Sequence, residues 1–343
     1  MLINSLQSKI NVYKKNIVPY IIVMGACLIG FISGVLITKN LIKTSIPHET
    51  RLKEQYKFIN PLLECNTEFD NAIFPNAIKQ TLINYIDKSM SRKEITTAAI
   101  YYRDLNNGPW FSINGSSLFT PASLIKVPIM MVYYKKAEST PKILDTLLEV
   151  KKELSNISQE GTFKPDKQLA VGNKYTIEEL IKHMITYSDN IAYKTLKDNL
   201  TTEEFNGVFS DLGIDIVPIE GNPNEKVLSL IEYSSLFRVL YNSSYLNREY
   251  SEKALRLLSD GVYAEGIVGG VPKEITVSHK FGERSNEDTN EKQLHDCGIV
   301  YAESNPYLLC IMTRGTEFNK LSNTIREISR LTYEAVGHSM SKD

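Results

Sequence analysis

Residues Thr120-Pro-Ala-Ser-Leu-Ile-Lys126 place a serine and a lysine three positions apart where a helix is expected to begin. Thr120 can cap that helix and Pro121 suits its first position, so Ser123 is predicted to lie in the opening turn, near free N–H groups and the positive end of the helix dipole. Lys126 then shares a helix face with Ser123. A desolvated lysine with a lowered pKa can take the proton of a serine hydroxyl. The stretch therefore predicts an activated serine.

The S-x-x-K spacing alone is weak evidence, because it also occurs at Ser139 and Ser339. Ser139 precedes Pro141 and Ser339 lies in the tail, so only Ser123 opens an apolar helical run. Pro128 cannot donate a helical hydrogen bond, which predicts a kink just beyond Lys126.

Two further motifs follow in the chain. Ser188-Asp189-Asn190 is the only S-D-N, and it comes after a helix that is predicted to open with the capping box Thr176-x-x-Glu179. Lys280-Phe-Gly282 lies at the end of a predicted strand. The ordered set of S-x-x-K, S-D-N and K-x-G is specific, although each motif is weak by itself.

With this set, residues from about 65 to 337 resemble class A β-lactamases and penicillin-interacting serine hydrolases. The resemblance implies an enzyme in which Ser123 is the acylated nucleophile and Lys126 its general base. Ser188 would pass a proton to the leaving nitrogen, and Lys280 would supply positive charge beside it. The substrate-binding residues would be Asn190, which holds a substrate amide, Gly282 of the K-x-G motif, and Glu283, whose backbone N–H would form the oxyanion hole with that of Ser123. Asp189 is expected to be structural.

Two departures from the family pattern affect the expected chemistry. Phe281 replaces the usual Thr or Ser between Lys and Gly, so a hydroxyl that binds a substrate carboxylate is lost; Arg284 or His295 are candidates to compensate. No E-x-x-L-N sequence occurs between Asn190 and the helix expected near Val227. Glu220 is the candidate deacylation base, with a solvated loop carboxylate as the other interpretation. Without such a base, an acyl-enzyme is expected to persist.

The N-terminal region contains an uncharged run of 22 residues, Ile17 to Thr38, which is long enough for a transmembrane helix. A cleaved signal peptide would have a shorter apolar core and an A-x-A-like site. Lysines before the run favour a cytoplasmic stub over residues 1–16. The expected location is therefore a single-pass anchor in the cell membrane, with an extracellular linker over residues 39–64 and an extracellular catalytic domain.

Composition excludes other classes of function. There are 39 Lys plus Arg against 40 Asp plus Glu, a net charge of −1, which gives no footprint for nucleic acid. The five histidines show neither H-x-H nor HExxH spacing, so no metal or other cofactor is expected. Cys65, Cys297 and Cys310 are irregularly spaced and are expected to be mostly free thiols. No oligomeric state is indicated.

Strands at both ends of the sequence and helical stretches between them predict an α/β (α+β) fold with an all-helical lobe inserted at about 138–262. The family resemblance implies a β-lactamase/transpeptidase-like arrangement, in which helices flank an antiparallel sheet. The expected elements are a helix over 76–89, a hairpin over 96–113, strands at 275–281, 298–302 and 307–313, and a final helix over 319–333. The catalytic domain would span 65–337, followed by a tail over 338–343.

The expected function is that of a membrane-anchored serine hydrolase that forms an acyl-enzyme with β-lactams, which it hydrolyses, or with D-alanine-terminated cell-wall peptides. The alternative is a non-catalytic penicillin- or peptidoglycan-binding sensor module, in which Phe281 and the missing glutamate mark a site that no longer turns over.

Overall fold

The computed structural model describes residues 24–33, 49–51, 56–65, 73–106, 108–156, 163, 167, 169–219, 222–303 and 305–339. Residues 24–33 are helical with exposed side chains. Within these described ranges, no helix combines the length and the apolar character that a membrane crossing requires. The remainder of the predicted span over residues 17–38 lies outside the described residues.

The strands follow the chain as β1 (Glu49–Arg51), β2 (Leu62–Cys65), β3 (Thr97–Asp104), β4 (Trp110–Ile113), β5 (Leu118–Phe119), β6 (Leu147–Glu149), β7 (Lys174–Thr176), β8 (Val217–Ile219), β9 (Asn222–Ser229), β10 (Val277–Asn286), β11 (Glu291–Val300) and β12 (Tyr307–Gly315). The longer helices after residue 72 are α1 (Ile73–Ser91), α2 (Lys126–Ser139), α3 (Ile177–Thr186), α4 (Asn190–Asp198), α5 (Thr202–Asp211), α6 (Leu230–Tyr241), α7 (Arg248–Ser259) and α8 (Phe318–Ser339).

The central sheet has five antiparallel strands in the order β10-β11-β12-β3-β4. Both faces of the three central strands β11, β12 and β3 are buried, because alternate residues enter two different cores. On β3, Ile100 and Tyr102 pack with residues of α1 and α8, whereas Ala99 and Tyr101 face the core shared with the inserted lobe. The predicted hairpin, antiparallel sheet and terminal helices are therefore confirmed, and β10 forms one edge of the sheet.

The inserted lobe, predicted over about 138–262, contains α3 to α7 but is not all-helical. β6 pairs with β7, and β9 pairs with both β8 and β5. Strands of three residues such as β6 and β7 are too short to produce a recognisable alternation of apolar residues. This explains why the sequence pattern predicted only helices here.

Part of the predicted linker over residues 39–64 is ordered by contacts with α7. β1 pairs with β2, and between them the backbone N–H groups of Phe58 and Ile59 donate to Glu252 Oε2 over 2.9 and 3.0 Å. A carboxylate that accepts several backbone hydrogen bonds fixes the path of an otherwise irregular segment. This segment therefore packs on the inserted lobe.

The helix that carries the S-x-x-K motif begins differently from the prediction. Pro121 precedes a 3₁₀ turn, Ala122–Ile125, and no side chain caps it, so the expected Thr120 cap is wrong. The α-helix α2 starts only at Lys126. Pro128 is thus in the first turn of α2, where its missing N–H removes no helical hydrogen bond. The reason for expecting a kink at Pro128 therefore disappears.

Two of the cysteines expected to be free thiols are joined. Cys297 on β11 and Cys310 on β12 are direct neighbours in the strand register and form a disulfide. Their separation in sequence could not reveal this, because register depends on the turn between the strands. Cys27 is a free, exposed thiol, and the side chain of Cys65 lies outside the described residues.

Candidate active site

The turn that presents Ser123 holds a residue in an unfavourable conformation. Ala122 has a φ of 49°, in the left-handed region that residues with a Cβ rarely adopt. The hydroxyl of Tyr233 donates to the Leu124 carbonyl over 3.0 Å and helps to fix the turn. Ser123 itself is only partly buried. Such strain persists where surrounding contacts impose it, which is common at functional sites.

Lys126 brings the first two motifs together. Its side chain is only 1% exposed. Its Nζ donates to the Ser188 carbonyl oxygen over 2.6 Å, to Ser188 Oγ over 3.1 Å and to Asn190 Oδ1 over 2.7 Å. Among the described residues, no hydrogen bond joins Lys126 to Ser123. The predicted lysine therefore lies in the site and is oriented by the S-D-N loop.

The S-D-N loop is held in place by its middle residue. Ser188 has a φ of 52° and is 4% exposed. Asp189 caps α4: its Oδ1 accepts from the N–H groups of Ile191 and Ala192 over 2.7 and 3.0 Å. Burial alone would raise the pKa of Asp189, but the neighbouring His183 ring and these backbone donors leave it below its usual value. Asp189 thus orients the loop as the sequence suggested.

Lys280 joins the third motif to the same serine. Its Nζ donates to Ser188 Oγ over 2.9 Å and to the Phe281 carbonyl oxygen over 2.9 Å. The side chain is 2% exposed, and burial lowers the pKa of Lys280 to about 7. Burial, reinforced by the charge of Lys280, also holds the pKa of Lys126 well below its ordinary range. Lys280 can therefore lose a proton near neutral pH, and burial favours the neutral form of Lys126 as well.

Gly282 allows β10 to approach the nucleophile turn. A Cβ at this position would lie 3.0 Å from each of three backbone atoms: the nitrogens of Ser123 and Leu124 and the carbonyl oxygen of Pro121. The next residue, Glu283, is partly buried, and its Oε1 accepts from the N–H of Phe163 over 3.0 Å. The backbones of the two predicted oxyanion-hole residues are consequently brought side by side.

Phe281 is enclosed by aromatic side chains that the sequence analysis did not identify. Its ring stacks on Tyr263, with centroids 4.0 Å apart, and contacts the edge of Phe163 at 4.8 Å. Phe163 and Tyr263 lie in separate segments without a motif, so only the fold reveals that they meet Phe281. In the sequence, the only feature that these two residues share with Phe281 is an aromatic side chain, which does not by itself predict a contact.

The two candidates expected to replace the lost hydroxyl, His295 and Arg284, both contact Thr120 beside the nucleophile turn. His295 is fully buried, and burial lowers its pKa to about 4, so it is neutral. Its Nε2 donates to the Thr120 carbonyl oxygen over 3.1 Å, and its Nδ1 accepts from the N–H of Thr313 over 3.3 Å. Arg284 Nη1 donates to Thr120 Oγ1 over 3.3 Å.

Glu220, the candidate deacylation base, lies outside the described residues. It would follow directly after β8, whose pairing with β9 forms a hairpin in this part of the lobe. Among the described residues, the carboxylates whose charge acts on Lys126 are those of Asp189 and Glu283. Asp189 caps α4, and Glu283 accepts from the N–H of Phe163.

The arrangement has the components of acyl transfer to a serine. A strained turn presents a hydroxyl near a helix N-terminus, and two buried lysines of lowered pKa share a second hydroxyl. Gly282 brings the backbones of Ser123 and Glu283 together, where the family resemblance implies an oxyanion hole.

Comparison with known proteins agrees with this chemistry. Residues 80–336 match the Beta-lactamase enzyme family. No curated protein matches the chain. Solved structures with a similar fold include PBP-A, with a TM-score of 0.65, 23% identity and coverage of 76% of this chain and 96% of that one. A mutant of PBP-A, solved as an acyl-enzyme complex with penicillin G, has a TM-score of 0.65, 22% identity and coverage of 77% and 97%.

A class A β-lactamase from Bacteroides cellulosilyticus DSM 14838 has a TM-score of 0.65 at 19% identity, with coverage of 78% of this chain and 99% of that one. Because these solved structures share so little sequence identity with this chain, their similarity shows a common fold and no more. The family match extends over most of the chain and includes Ser123, Ser188 and Lys280. The chain belongs to the beta-lactamase enzyme family and is a serine hydrolase.

Proposed function

We propose that Ser123 attacks the carbonyl carbon of β-lactams, or of D-alanine-terminated cell-wall peptides, and forms an acyl-enzyme that is hydrolysed slowly. The observation that carries the proposal is the convergence of Lys126 and Lys280 on Ser188 Oγ beside the Ser123 turn. This arrangement provides one group to remove a proton from the nucleophile and another to return it to the leaving nitrogen.

In the first step, neutral Lys126 takes the proton of Ser123 Oγ as the oxygen bonds to the substrate carbonyl carbon. Lys126 is suited to this role because burial and the charge of Lys280 favour its neutral form. The negative charge that develops on the carbonyl oxygen is stabilised by the N–H groups of Ser123 and Glu283. Asn190, already held by Lys126, holds an amide of the substrate.

In the second step, the carbon–nitrogen bond breaks and the nitrogen takes a proton from Ser188 Oγ. Lys126, now protonated, returns a proton to Ser188 along their 3.1 Å contact. Lys280 stabilises the transient negative charge on Ser188 Oγ through its 2.9 Å hydrogen bond. The products are an ester on Ser123 and an amine, which leaves in the case of a peptide and stays attached to the acyl group in the case of an opened β-lactam.

Hydrolysis of that ester needs a base to activate water. Asp189 and Glu283 are engaged elsewhere, and Glu220 is the remaining candidate from the sequence. We therefore expect acylation to be faster than deacylation, so that the acyl-enzyme accumulates.

Intact-mass spectrometry of the full chain incubated with penicillin G tests the proposal. We expect a stoichiometric adduct that peptide mapping locates on Ser123 and that the Ser123→Ala variant lacks. The control is Ser139→Ala, because Ser139 has the same S-x-x-K spacing but bonds the Lys136 carbonyl on an exposed helix end. An adduct that survives in Ser123→Ala, or no adduct in the native chain, contradicts the proposal.

The same variants test the alternative hypothesis that the protein is a non-catalytic binding module. Such a module would retain its affinity for penicillin G in Ser123→Ala, since binding would not depend on the covalent bond. The shared hydrogen bonds of two buried lysines favour the enzyme, because a binding surface has no need for groups with lowered pKa values.

We propose further that residues 17–38 anchor the chain in the cell membrane with the catalytic domain outside. The support is the uncharged run of 22 residues behind a basic stub. Carbonate extraction of membranes from cells that express the full chain should leave it in the pellet, and protease added to intact cells should digest the domain. Release of the chain by carbonate contradicts the anchor.

A further inference from the structure

Asp296 is a buried carboxylate on β11, beside the strand that carries Lys280. It is fully buried, and its register partner on β10 is Phe281. Two groups donate to it: His279 Nδ1 to Oδ1 over 2.8 Å, and the N–H of Ile267 to Oδ2 over 2.8 Å. A carboxylate is satisfied by donors of this kind, and together they fix its position.

The loop that supplies the Ile267 N–H fits closely around this carboxylate. A Cβ on Gly266 would overlap Asp296 Oδ2, so a larger residue would push the loop and the carboxylate apart. Glycine permits such a close approach of the backbone. The sequence therefore provides a dedicated place for a carboxylate at position 296.

His279 does not neutralise the charge of Asp296. Its Nδ1 carries the hydrogen that Asp296 accepts, and its buried Nε2 has no hydrogen-bond partner within the part of the chain that the structure describes. A charged ring would carry a second N–H and leave it without an acceptor, so these contacts suit the neutral ring. A buried carboxylate also needs a counter-charge, which a neutral ring does not supply.

Lys280 lies where that counter-charge is needed. Its Nζ is 4.3 Å from the centroid of the Phe281 ring, and Phe281 and Asp296 are paired across the two strands. The Cβ atoms of such partners are about 4.5–5.5 Å apart, so the ammonium and the carboxylate both lie next to the same ring. Phe281 is buried and stacks on Tyr263, and charges interact strongly in surroundings of this kind because water does not screen them.

The charged groups around Lys280 come from three elements, with Lys126 on α2, Glu283 on β10 and Asp296 on β11. Burial lowers the pKa of Lys280 to about 7, and the charge of Asp296 opposes this more than that of Glu283 does. The charges that act on Lys126 are those of Lys280, Asp189 and Glu283. Glu283 therefore acts on both lysines, whereas Asp296 acts on Lys280.

From these contacts we infer that Asp296 is a positioning residue for acyl transfer, which supplies the counter-charge that keeps Lys280 cationic and donating to Ser188 Oγ. The inference rests on the proposed function, in which Lys280 stabilises negative charge on Ser188 Oγ while the nitrogen takes its proton. Asp296 acts through Lys280 and not on the substrate. Its contribution must therefore depend on pH and on the presence of a lysine at position 280.

The pH profile of penicillin G adduct formation on the full chain tests the inference, with the second-order rate measured by intact mass. The proposed mechanism needs neutral Lys126 and charged Lys280, so the native rate should rise with pH and then fall above about pH 7. In Asp296→Asn, Lys280 should lose its proton more readily, and the fall should move to lower pH by about one unit. The rise, which belongs to Lys126, should stay in place.

A second uncharged variant, Asp296→Ser, guards against a loss of folding that is specific to the buried amide. Its hydroxyl can still accept a hydrogen bond from His279 or from the Ile267 N–H. The fall in rate should move to lower pH as in Asp296→Asn, because both variants remove the same charge.

Three further variants separate this effect from a structural one. Asp104→Asn removes another buried carboxylate, which accepts from the Asn106 N–H over 2.8 Å, and should leave the profile unchanged. Glu283→Gln should move both the rise and the fall to lower pH, because Glu283 acts on both lysines. In Lys280→Arg, whose guanidinium stays charged without help, adding Asp296→Asn should change the rate by no more than about twofold at any pH.

The outcomes keep the inference apart from the proposed function. If the native chain gains no mass on Ser123, the proposed function is wrong and the inference falls with it. The inference alone is wrong if the adduct forms and the two Asp296 variants keep the native profile or slow the reaction equally at every pH. It is also wrong if Asp296→Asn slows the Lys280→Arg chain as much as it slows the native one.

Discussion

Lys126 and Lys280 donate to the same atom, Ser188 Oγ, from 3.1 and 2.9 Å. When Lys126 is neutral and Lys280 is charged, Lys280 donates to Ser188 Oγ and the serine proton can point to the lone pair of Lys126. When both are charged, the Ser188 proton has no acceptor on either lysine. The hydrogen-bond chain therefore has one productive protonation state, which contains a single positive charge.

This relationship predicts a bell-shaped pH profile for acylation. The rate should rise with pH as Lys126 loses its proton, and it should fall above about pH 7, where Lys280 begins to lose the charge that stabilises Ser188. Because the two lysines interact, the apparent pKa values belong to the pair. The measurement is the second-order rate of penicillin G adduct formation between pH 5 and pH 10.

The Lys280→Arg variant tests whether deprotonation of Lys280 causes the fall in rate at alkaline pH. Arginine stays charged throughout this range, so the fall above about pH 7 should disappear even if the maximal rate is lower. An alkaline limb that stays at the same pH in Lys280→Arg would assign it to another group. Lys142→Met, which removes an exposed lysine, should leave the profile unchanged.

The contact between Gly282 and the nucleophile turn gives a second prediction. In Gly282→Ala, the new methyl group would lie 3.0 Å from the backbone nitrogens of Ser123 and Leu124. The turn must therefore shift by a few tenths of an ångström, and we expect acylation to slow by about tenfold or more, since small displacements of reacting groups are costly. Stopped-flow measurement with a chromogenic cephalosporin checks this.

Gly207→Ala is the matched control for this substitution. Gly207 lies within α5, and a Cβ there would meet nothing within 4 Å. The control should acylate normally and gain up to about 1 kcal/mol in stability, because alanine favours the helix. Equal acylation rates in both variants would show that the close approach of β10 is not required.

Much of the site could be predicted from sequence because its residues lie in short local motifs. The capping box at Thr176 and the α4 cap at Asp189 depend on residues two or three positions apart, and both are present. The disulfide and the stacking of Tyr263 on Phe281 depend on strand register and on a separate segment. Contacts of this kind leave no periodic signal in the chain.

Residues with positive φ values are a second feature of the site that sequence patterns did not predict. Ala122 and Ser188 adopt left-handed conformations beside the reacting groups, at 49° and 52°. Local preference opposes this conformation in both residues, and tertiary contacts impose it. The sequence therefore predicted a capped helix at Ser123, where the structure has a strained 3₁₀ turn.

His295 gives a prediction about stability. Its folded pKa is about 4, below the ordinary value of 6.5, because burial disfavours the charged ring. The unfolded chain therefore binds a proton between these values that the folded chain does not, and stability is lost as the pH falls from 6.5 to about 4. Between pH 7 and pH 5, this single group should cost about 2 kcal/mol of the free energy of unfolding.

Urea unfolding of the native chain and of His295→Gln at both pH values measures this contribution. The variant should be less stable at pH 7 by about 1–3 kcal/mol, because the Thr120 carbonyl oxygen and the Thr313 N–H lose well-placed partners. It should also lose less stability than the native chain on acidification, since other groups titrate equally in both. If the two chains lose the same amount between pH 7 and pH 5, His295 does not carry the lowered pKa, and its burial against the nucleophile turn does not control acid stability.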